Sequence, residues 1–248
     1  HQADRDQSAE WNRGAYLVQG LAHCGACHST RNALGVPLGG HAYDGAMMPL
    51  NDWYAPSLTA RNEASVADWE LAQIAQWLRS GSSGKGSALG PMAEVIFQST
   101  QYASNEDLLA MGTYLKSLPS PTSNRATNAA PSVANSDGAG REIYREHCAN
   151  CHGESGNGKP GAFPALAGNR TVTMANTTNL IRIILSGGFA PATADNPRPH
   201  GMPPYYHVLS DADVAHVATY IRTAWDNVAA PVTELDMVKH RNALKTAH

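Results

Sequence analysis

Apolar residues recur at helical spacing in six stretches of the sequence, and the segments between these stretches are rich in glycine, proline and serine. Each stretch suits a short amphipathic helix, because apolar positions three and four residues apart lie on one face. Serine followed three residues later by aspartate predicts where several of the helices begin. The predicted helices are 10–19, a helix from the Ser65/Asp68 cap to about Leu78, 104–118, 140–147, 178–185 and a last helix from Ser210. The pattern predicts an all-α fold.

The order of these elements occurs twice, which indicates a duplicated domain. Ser104-x-x-Asp107 and Ser210-x-x-Asp213 begin the closing helix of each half. Between the halves, residues 119–135 read PSPTSNRATNAAPSVAN, a Pro-, Ser-, Asn- and Ala-rich composition that is typical of an extended linker. The predicted organisation is a first domain at 1–118, a linker at 119–135, a second domain at 136–225 and a C-terminal tail at 226–248.

Each half carries one C-x-x-C-H motif. The two motifs are Cys24-Gly25-Ala26-Cys27-His28 and Cys148-Ala149-Asn150-Cys151-His152. Two thiols one helical turn apart can form thioethers to the vinyl groups at one porphyrin edge, and the adjacent histidine can ligate the iron. The alternative is a zinc or disulfide site, although the motifs use all four cysteines of the chain. We therefore predict two covalently bound haem c groups, attached through Cys24, Cys27, Cys148 and Cys151 and ligated by His28 and His152.

Composition and charge narrow the class of protein. A net charge of −3 and a pI near 6.4 give no basic surface for nucleic acid. No run of 18 apolar residues predicts a membrane-spanning helix. Covalent haem attachment normally takes place outside the bacterial cytoplasm, so we expect a periplasmic protein, free or peripheral to the inner membrane. No signal peptide is present at His1, which we interpret as a mature or trimmed form.

The chemistry of each haem depends on what faces the histidine across the iron. Methionine, a soft thioether, would hold the iron at a raised potential. Met92 and Met202 are the predicted ligands, because each lies beside a proline in a predicted loop, between a Ser-Gly helix end and the closing helix of its half. Met47-Met48 is the rival in the first half, and His200 would give bis-histidine ligation in the second. Trp53 is a candidate donor to a haem propionate, with ordinary packing as its alternative.

Each half resembles a class I cytochrome c. In that family the first and last helices cross through a small residue and an aromatic. The resemblance implies Gly14 or Tyr16 against Tyr114, and Gly140 or Tyr144 against Tyr220. It also points to Met92 and Met202 as ligands, and to a proline carbonyl that accepts the Nδ1–H of the ligand histidine. Pro164, 12 residues after His152, is at the family's position, and Pro37, nine residues after His28, is the candidate in the first half.

Nearly the whole chain resembles the cytochrome c subunit of bacterial membrane-bound alcohol, gluconate and related dehydrogenases. The stretches that carry the resemblance are Glu10–His28, Gly90–Val95, Phe163–Asn169, Met202-Pro203, Leu209–Ala215 and Trp225–Val232. That family usually has three C-x-x-C-H motifs, and this chain corresponds to its last two haem domains. A second departure follows Trp53, where the chain has Ala55-Pro56-Ser57 in place of the family's A-P-N.

Two redox centres on one chain predict electron transfer by a carrier that is not itself an enzyme. The resemblance implies a dehydrogenase catalytic subunit as the electron donor and a cytochrome, quinone or oxidase as the acceptor. A dihaem peroxidase is the alternative, and it would need one open haem with an acid–base residue above it. The two methionine segments favour the carrier. A cysteine-ligated thiosulfate-type enzyme is excluded, because no cysteine is left outside the motifs.

Overall fold

The computed structural model describes residues 2–32, 34–36, 38, 42–48, 52–120, 138–238 and 240. These residues form two compact units. The first contains the described residues up to Ser83 together with 87–120 and 190–199, and the second contains 84–86, 138–189 and the described residues from His200. Positions 121–135 of the predicted linker lie outside the described residues, so the domain bounds stay a prediction.

Helices predominate among the described residues, and the strands are two residues long. Up to Ser117 the elements are α1 (Ala9–Tyr16), a π-helical turn (Leu17–Leu21), α2 (Gly25–His28), β1 (Ala46–Met47), β2 (Tyr54–Ala55), α3 (Leu71–Ser80), β3 (Ser82–Ser83), β4 (Gly86–Ser87), α4 (Pro91–Gln98), a 3-10 turn (Thr100–Tyr102) and α5 (Asn105–Ser117). Strands β1 and β2 pair in antiparallel fashion, and β3 pairs with β4.

The first unit is organised around the crossing of α1 and α5. Gly14 is the contact point: a Cβ added there would lie 1.9 Å from the carbonyl oxygen of Ala110. Trp11 packs edge-on against Tyr114, with 5.1 Å between ring centroids, while Tyr16 is 41% exposed. Of the two predicted candidates, glycine rather than Tyr16 therefore makes the crossing, because only a residue without a side chain allows the two backbones this close.

The second unit repeats this arrangement. Its elements are α6 (Gly138–His147), α7 (Ala149–His152), α8 (Arg170–Thr173), α9 (Thr178–Ser186), β5 (Gly188–Phe189), β6 (Gly201–Met202) and α10 (Asp211–Thr223). Helix α6 crosses α10 at Gly140, where an added Cβ would lie 2.3 Å from the carbonyl oxygen of His216. Tyr144 is buried beside Tyr220, with 5.4 Å between centroids, so both predicted residues take part in the crossing.

The chain after α10 packs back onto the second unit. Val232 and Met237 are buried in its apolar core. Arg222 is 1% exposed, and its guanidinium donates to the carbonyl oxygens of Val172, Met174 and Ala230. Burial lowers the pKa of Arg222 to about 10. The residues from 226 to 238 are thus part of the folded unit.

Two element predictions were wrong in detail. Helix α3 begins at Leu71, where Glu70 and Gln73 form a capping box, and not at Ser65. Ser65 is buried, and its hydroxyl accepts from the Ala67 N–H in the turn before the helix. The segment around Met92, expected to be a loop, is helix α4. Its first residue is Pro91, which suits the first helical position because no N–H is needed there.

No helix within the described ranges is long and apolar enough to cross a membrane.

The cap of α10 makes stability depend on pH. Ser210 accepts from the N–H of Asp213, whose carboxylate accepts in return from the Ser210 N–H and hydroxyl. These hydrogen bonds hold the pKa of Asp213 below its ordinary 3.8. The stabilisation is present above pH 3.8 and is lost as the pH falls through the lower folded value.

We expect Asp213→Asn to lower the free energy of unfolding by about 1 kcal/mol at neutral pH, with a smaller difference at low pH. Denaturant unfolding at pH 7 and pH 3 measures both values. Asp211→Asn, which removes a charge from the same helical turn but leaves the capping box, is the control. An equal loss in the two variants would mean that the helix dipole, not the cap, carries the effect.

Candidate haem sites

The first C-x-x-C-H motif forms a single helical turn. Cys24 precedes α2, and its carbonyl oxygen accepts from the N–H groups of Cys27, at 3.2 Å, and His28, at 3.0 Å. The turn leaves both thiols free. Burial raises the pKa of Cys24 to about 11, the opposite of the lowered pKa that activates a nucleophilic cysteine. The motif therefore presents the neutral thiol of Cys24 beside an apolar core.

The ring of His28 is oriented by Pro56. Its Nδ1 lies 2.6 Å from the carbonyl oxygen of Pro56, and the ring is part-buried. A hydrogen bond at Nδ1 leaves Nε2 as the atom available to a metal, and it raises the basicity of the ring as a ligand. Burial lowers the pKa of His28, which favours the neutral, metal-binding form. The predicted candidate Pro37 lies outside the described residues.

Met92 lies far along the chain from the first motif, but it contacts the same apolar cluster. It lies in the first turn of α4, and it packs with Cys24 against the core of the first unit. Gly90, just before the helix, has φ = 58°, and an added Cβ would lie 2.5 Å from the ring of Trp53. Trp53 thus packs onto the segment that carries Met92. Its predicted contact with a propionate stays a prediction.

The rival methionine is less well placed. Met47 is in β1, opposite Tyr54, and is 47% exposed. A thioether that ligates iron has to be withdrawn from water and held against the haem face. Met92 is half-buried and packs against the same core cluster as Cys24, which favours Met92 over the exposed Met47.

The second motif repeats the geometry of the first. The carbonyl oxygen of Cys148 accepts from the N–H groups of Cys151, at 3.2 Å, and His152, at 3.0 Å. Nδ1 of His152 lies 2.9 Å from the carbonyl oxygen of Pro164. Burial lowers the pKa of His152 and raises that of Cys148 to about 11.

Met202 is fixed by a small antiparallel pair. In the register of β5 and β6, Met202 is opposite Gly188. Gly187 has φ = 66°, and a Cβ there would lie 2.3 Å from the carbonyl oxygen of Met202, so this close approach requires glycine. The Met202 side chain packs with Cys148 against the core of the second unit. His200, the alternative ligand, is exposed and packs its ring against Phe163 at 4.8 Å.

The donor set distinguishes haem from the alternatives. Within the described part of the chain, no group of three or more His, Cys, Asp or Glu side chains could hold a metal ion, as a zinc site would need. The cysteines form no disulfide. Each motif instead combines two thiols and one oriented imidazole with a methionine that packs against the same apolar core, which fits a covalently attached haem.

Sequence reasoning missed the role of Pro56. This proline follows His28 by 28 positions, so no local spacing indicates it. The available signal was the departure at Ala55-Pro56-Ser57, which the resemblance had marked but had not connected to the histidine.

Comparisons with known proteins agree with this chemistry. Residues 138–225 match the cytochrome c family, so the chain contains a cytochrome c domain, which implies covalently bound haem c.

Homologues of the chain include cytochrome subunits of dehydrogenases, as the resemblance implied. The chain is 35% identical to the cytochrome c subunit of alcohol dehydrogenase (quinone) from Gluconobacter oxydans, over 92% of this chain and 51% of that protein. It is 34% identical to the fructose dehydrogenase cytochrome subunit from Gluconobacter japonicus, over 97% and 54%. It is also 33% identical to the gluconate 2-dehydrogenase cytochrome c subunit from Pantoea cypripedii, over 92% and 55%. The chain spans about half the length of these relatives.

Proposed function

We propose that this chain is a dihaem electron carrier, with His28 and Met92 ligating one iron and His152 and Met202 ligating the other. In this proposal it relays electrons in the periplasm from a dehydrogenase catalytic subunit to a cytochrome, quinone or oxidase. One observation carries the proposal: in each unit, a proline carbonyl orients the motif histidine, and a methionine packs against the same apolar core as the first cysteine.

The arrangement suits electron transfer because little has to move when the iron changes its charge. The haem, once bound, supplies the one-electron chemistry. The protein's part is to hold the ligands: His28 and His152 through their Nδ1 hydrogen bonds, and Met92 and Met202 through segments fixed by proline and by close glycine contacts. Ligands fixed in this way are not readily replaced by water or by other ligands. They also keep water out of the apolar surroundings of the iron.

The dehydrogenase partner is proposed from the relatives. All three proteins named above are cytochrome subunits of dehydrogenases that act on alcohols, fructose or gluconate. The net charge of −3 is small, which favours docking through limited apolar patches rather than strong electrostatic steering.

The oxidised spectrum of the mature holoprotein tests the carrier function. We expect two haems per chain, both low-spin, with a near-infrared sulfur-to-iron band and a reductive titration that takes up about two electrons per chain. Cyanide and peroxide should leave the spectrum unchanged on the time scale of electron transfer.

The peroxidase alternative predicts a different result. One high-spin haem, together with turnover of peroxide, would contradict the carrier function.

Copurification from the native source would identify the donor. The cytochrome should become reduced when the substrate of the copurified enzyme is added.

A further inference from the structure

A strained turn follows α10 in the second unit. Trp225 and Asp226 have φ values of 53° and 65°, the left-handed region that residues with side chains rarely adopt. Two such residues in succession are strained, and they persist only where surrounding contacts hold them. The turn places Trp225 against the loop that follows the second C-x-x-C-H motif.

The residue after this turn is a buried amide. Asn227 is 6% exposed and uses both ends of its side chain. Its Oδ1 accepts from the Gly168 N–H at 2.8 Å, and its Nδ2 donates to the carbonyl oxygens of Leu166, at 3.0 Å, and Ile221, at 2.7 Å. One side chain thus joins the loop at 166–168 to the last turns of α10.

This loop is the one that carries Pro164. The Pro164 carbonyl oxygen accepts from Nδ1 of His152, and the N–H groups two and three residues later both donate to the carbonyl oxygen of Gly156. Trp225 supports Gly156 from the outside: an added Cβ on Gly156 would lie 2.5 Å from the Trp225 ring. The Trp225 indole also donates to the carbonyl oxygen of Glu154, at 3.1 Å.

We propose that Asn227 is a positioning residue that sets the potential of the second haem, by holding the loop whose Pro164 carbonyl orients and polarises His152. The proposal rests on the ligand role of His152 proposed above. A firm Nδ1–H···O bond makes the imidazole more electron-donating, which favours the ferric iron. A loop released from Asn227 weakens that bond, and the potential of the second haem rises.

The test is a spectroelectrochemical titration of the holoprotein and of Asn227→Ala. We expect the ratio of reduced to oxidised second haem, at a fixed ambient potential, to rise about tenfold, which is about 59 mV for one electron. The first haem should not change, because His28 is oriented by Pro56 instead. Asn227→Leu has nearly the same volume and can make none of the three hydrogen bonds, so we expect a shift of the same sign and similar size.

Thr219→Val is the matched control. The Thr219 hydroxyl exchanges two hydrogen bonds with Val232, so its loss loosens the same chain segment without touching the loop at 166–168. We expect this variant to lower the thermal midpoint and to leave both potentials unchanged.

Two outcomes would overturn the proposal. Unchanged potentials in both Asn227 variants would give this residue a structural role only, and so would equal shifts in Asn227→Ala and Thr219→Val. A failure of the proposed function looks different, because the unsubstituted protein itself would then lack a second low-spin haem. Exchange of the His152 Nδ1 proton, followed by NMR, gives an independent measure of the bond.

Discussion

Met202→Ala is expected to remove about half of the near-infrared sulfur-to-iron band and to lower the potential of one haem, leaving the other haem unchanged. Met202 packs against the core of the second unit together with Cys148, and the β5–β6 pair fixes its backbone. Alanine cannot ligate iron, so water or an exogenous ligand takes the sixth position and the affected haem becomes partly high-spin. Near-infrared absorption and a redox titration of the holoprotein measure both changes.

Met92→Ala should have the same effect on the other haem, and the double variant should lose the band completely. Met111→Leu is the control, since Met111 is buried in α5, where its sulfur is a packing group. A band that persists in Met92→Ala would assign the ligand to Met47 or Met48 in spite of the exposure of Met47. A band that persists in Met202→Ala would contradict the proposed ligand set of the second unit.

The features that could be predicted from the sequence depend on residues that are close together along the chain. A C-x-x-C-H motif closes within one helical turn, and a serine cap acts across three residues, so both can be read without knowing the fold. Met92 and Met202 could be singled out because each lies beside a proline at a corresponding place in its half. The cap at Ser210 and the helix that it begins agree with the structure.

The features that could not be predicted from the sequence are contacts between residues that are far apart along the chain. Pro56 reaches His28 only after the chain between them has folded back, and no spacing rule covers that distance. Asn227 reaches the loop at 166–168 across about 60 positions. Helix α4 is a different case. Pro91, at its first position, was interpreted as part of a loop, although proline there is a helix-start signal and buried Ile96 gives the helix its apolar face.

Gly140→Ala is expected to lower the free energy of unfolding of the second unit by about 3 kcal/mol or more. An added Cβ would lie 2.3 Å from the carbonyl oxygen of His216 and 2.9 Å from the Cβ of Tyr220, so α6 and α10 would have to move apart. Backbone atoms on a packed helix cannot turn away as a flexible side chain can. Separation of the helices would also open the contact between Tyr144 and Tyr220. Guanidinium unfolding of the holoprotein, followed by circular dichroism and haem absorption, measures the loss.

Gly138→Ala, in the same helix, is the matched control, because nothing lies within 4 Å of a Cβ at that position. Here we expect no loss of stability, or a gain of about 0.5–1 kcal/mol, since alanine favours the helix and reduces the entropy of the unfolded chain.

The first unit offers an independent pair of variants. Gly14→Ala should destabilise this unit, because the added Cβ would lie 1.9 Å from the carbonyl oxygen of Ala110. The Cβ of Gly20→Ala would meet no atom within 4 Å. If alanine were tolerated equally at both positions of either pair, that helix crossing could not depend on direct backbone contact at glycine. A loss at Gly14 and Gly140 alone would show that both units are built on the same close crossing of their first and last helices.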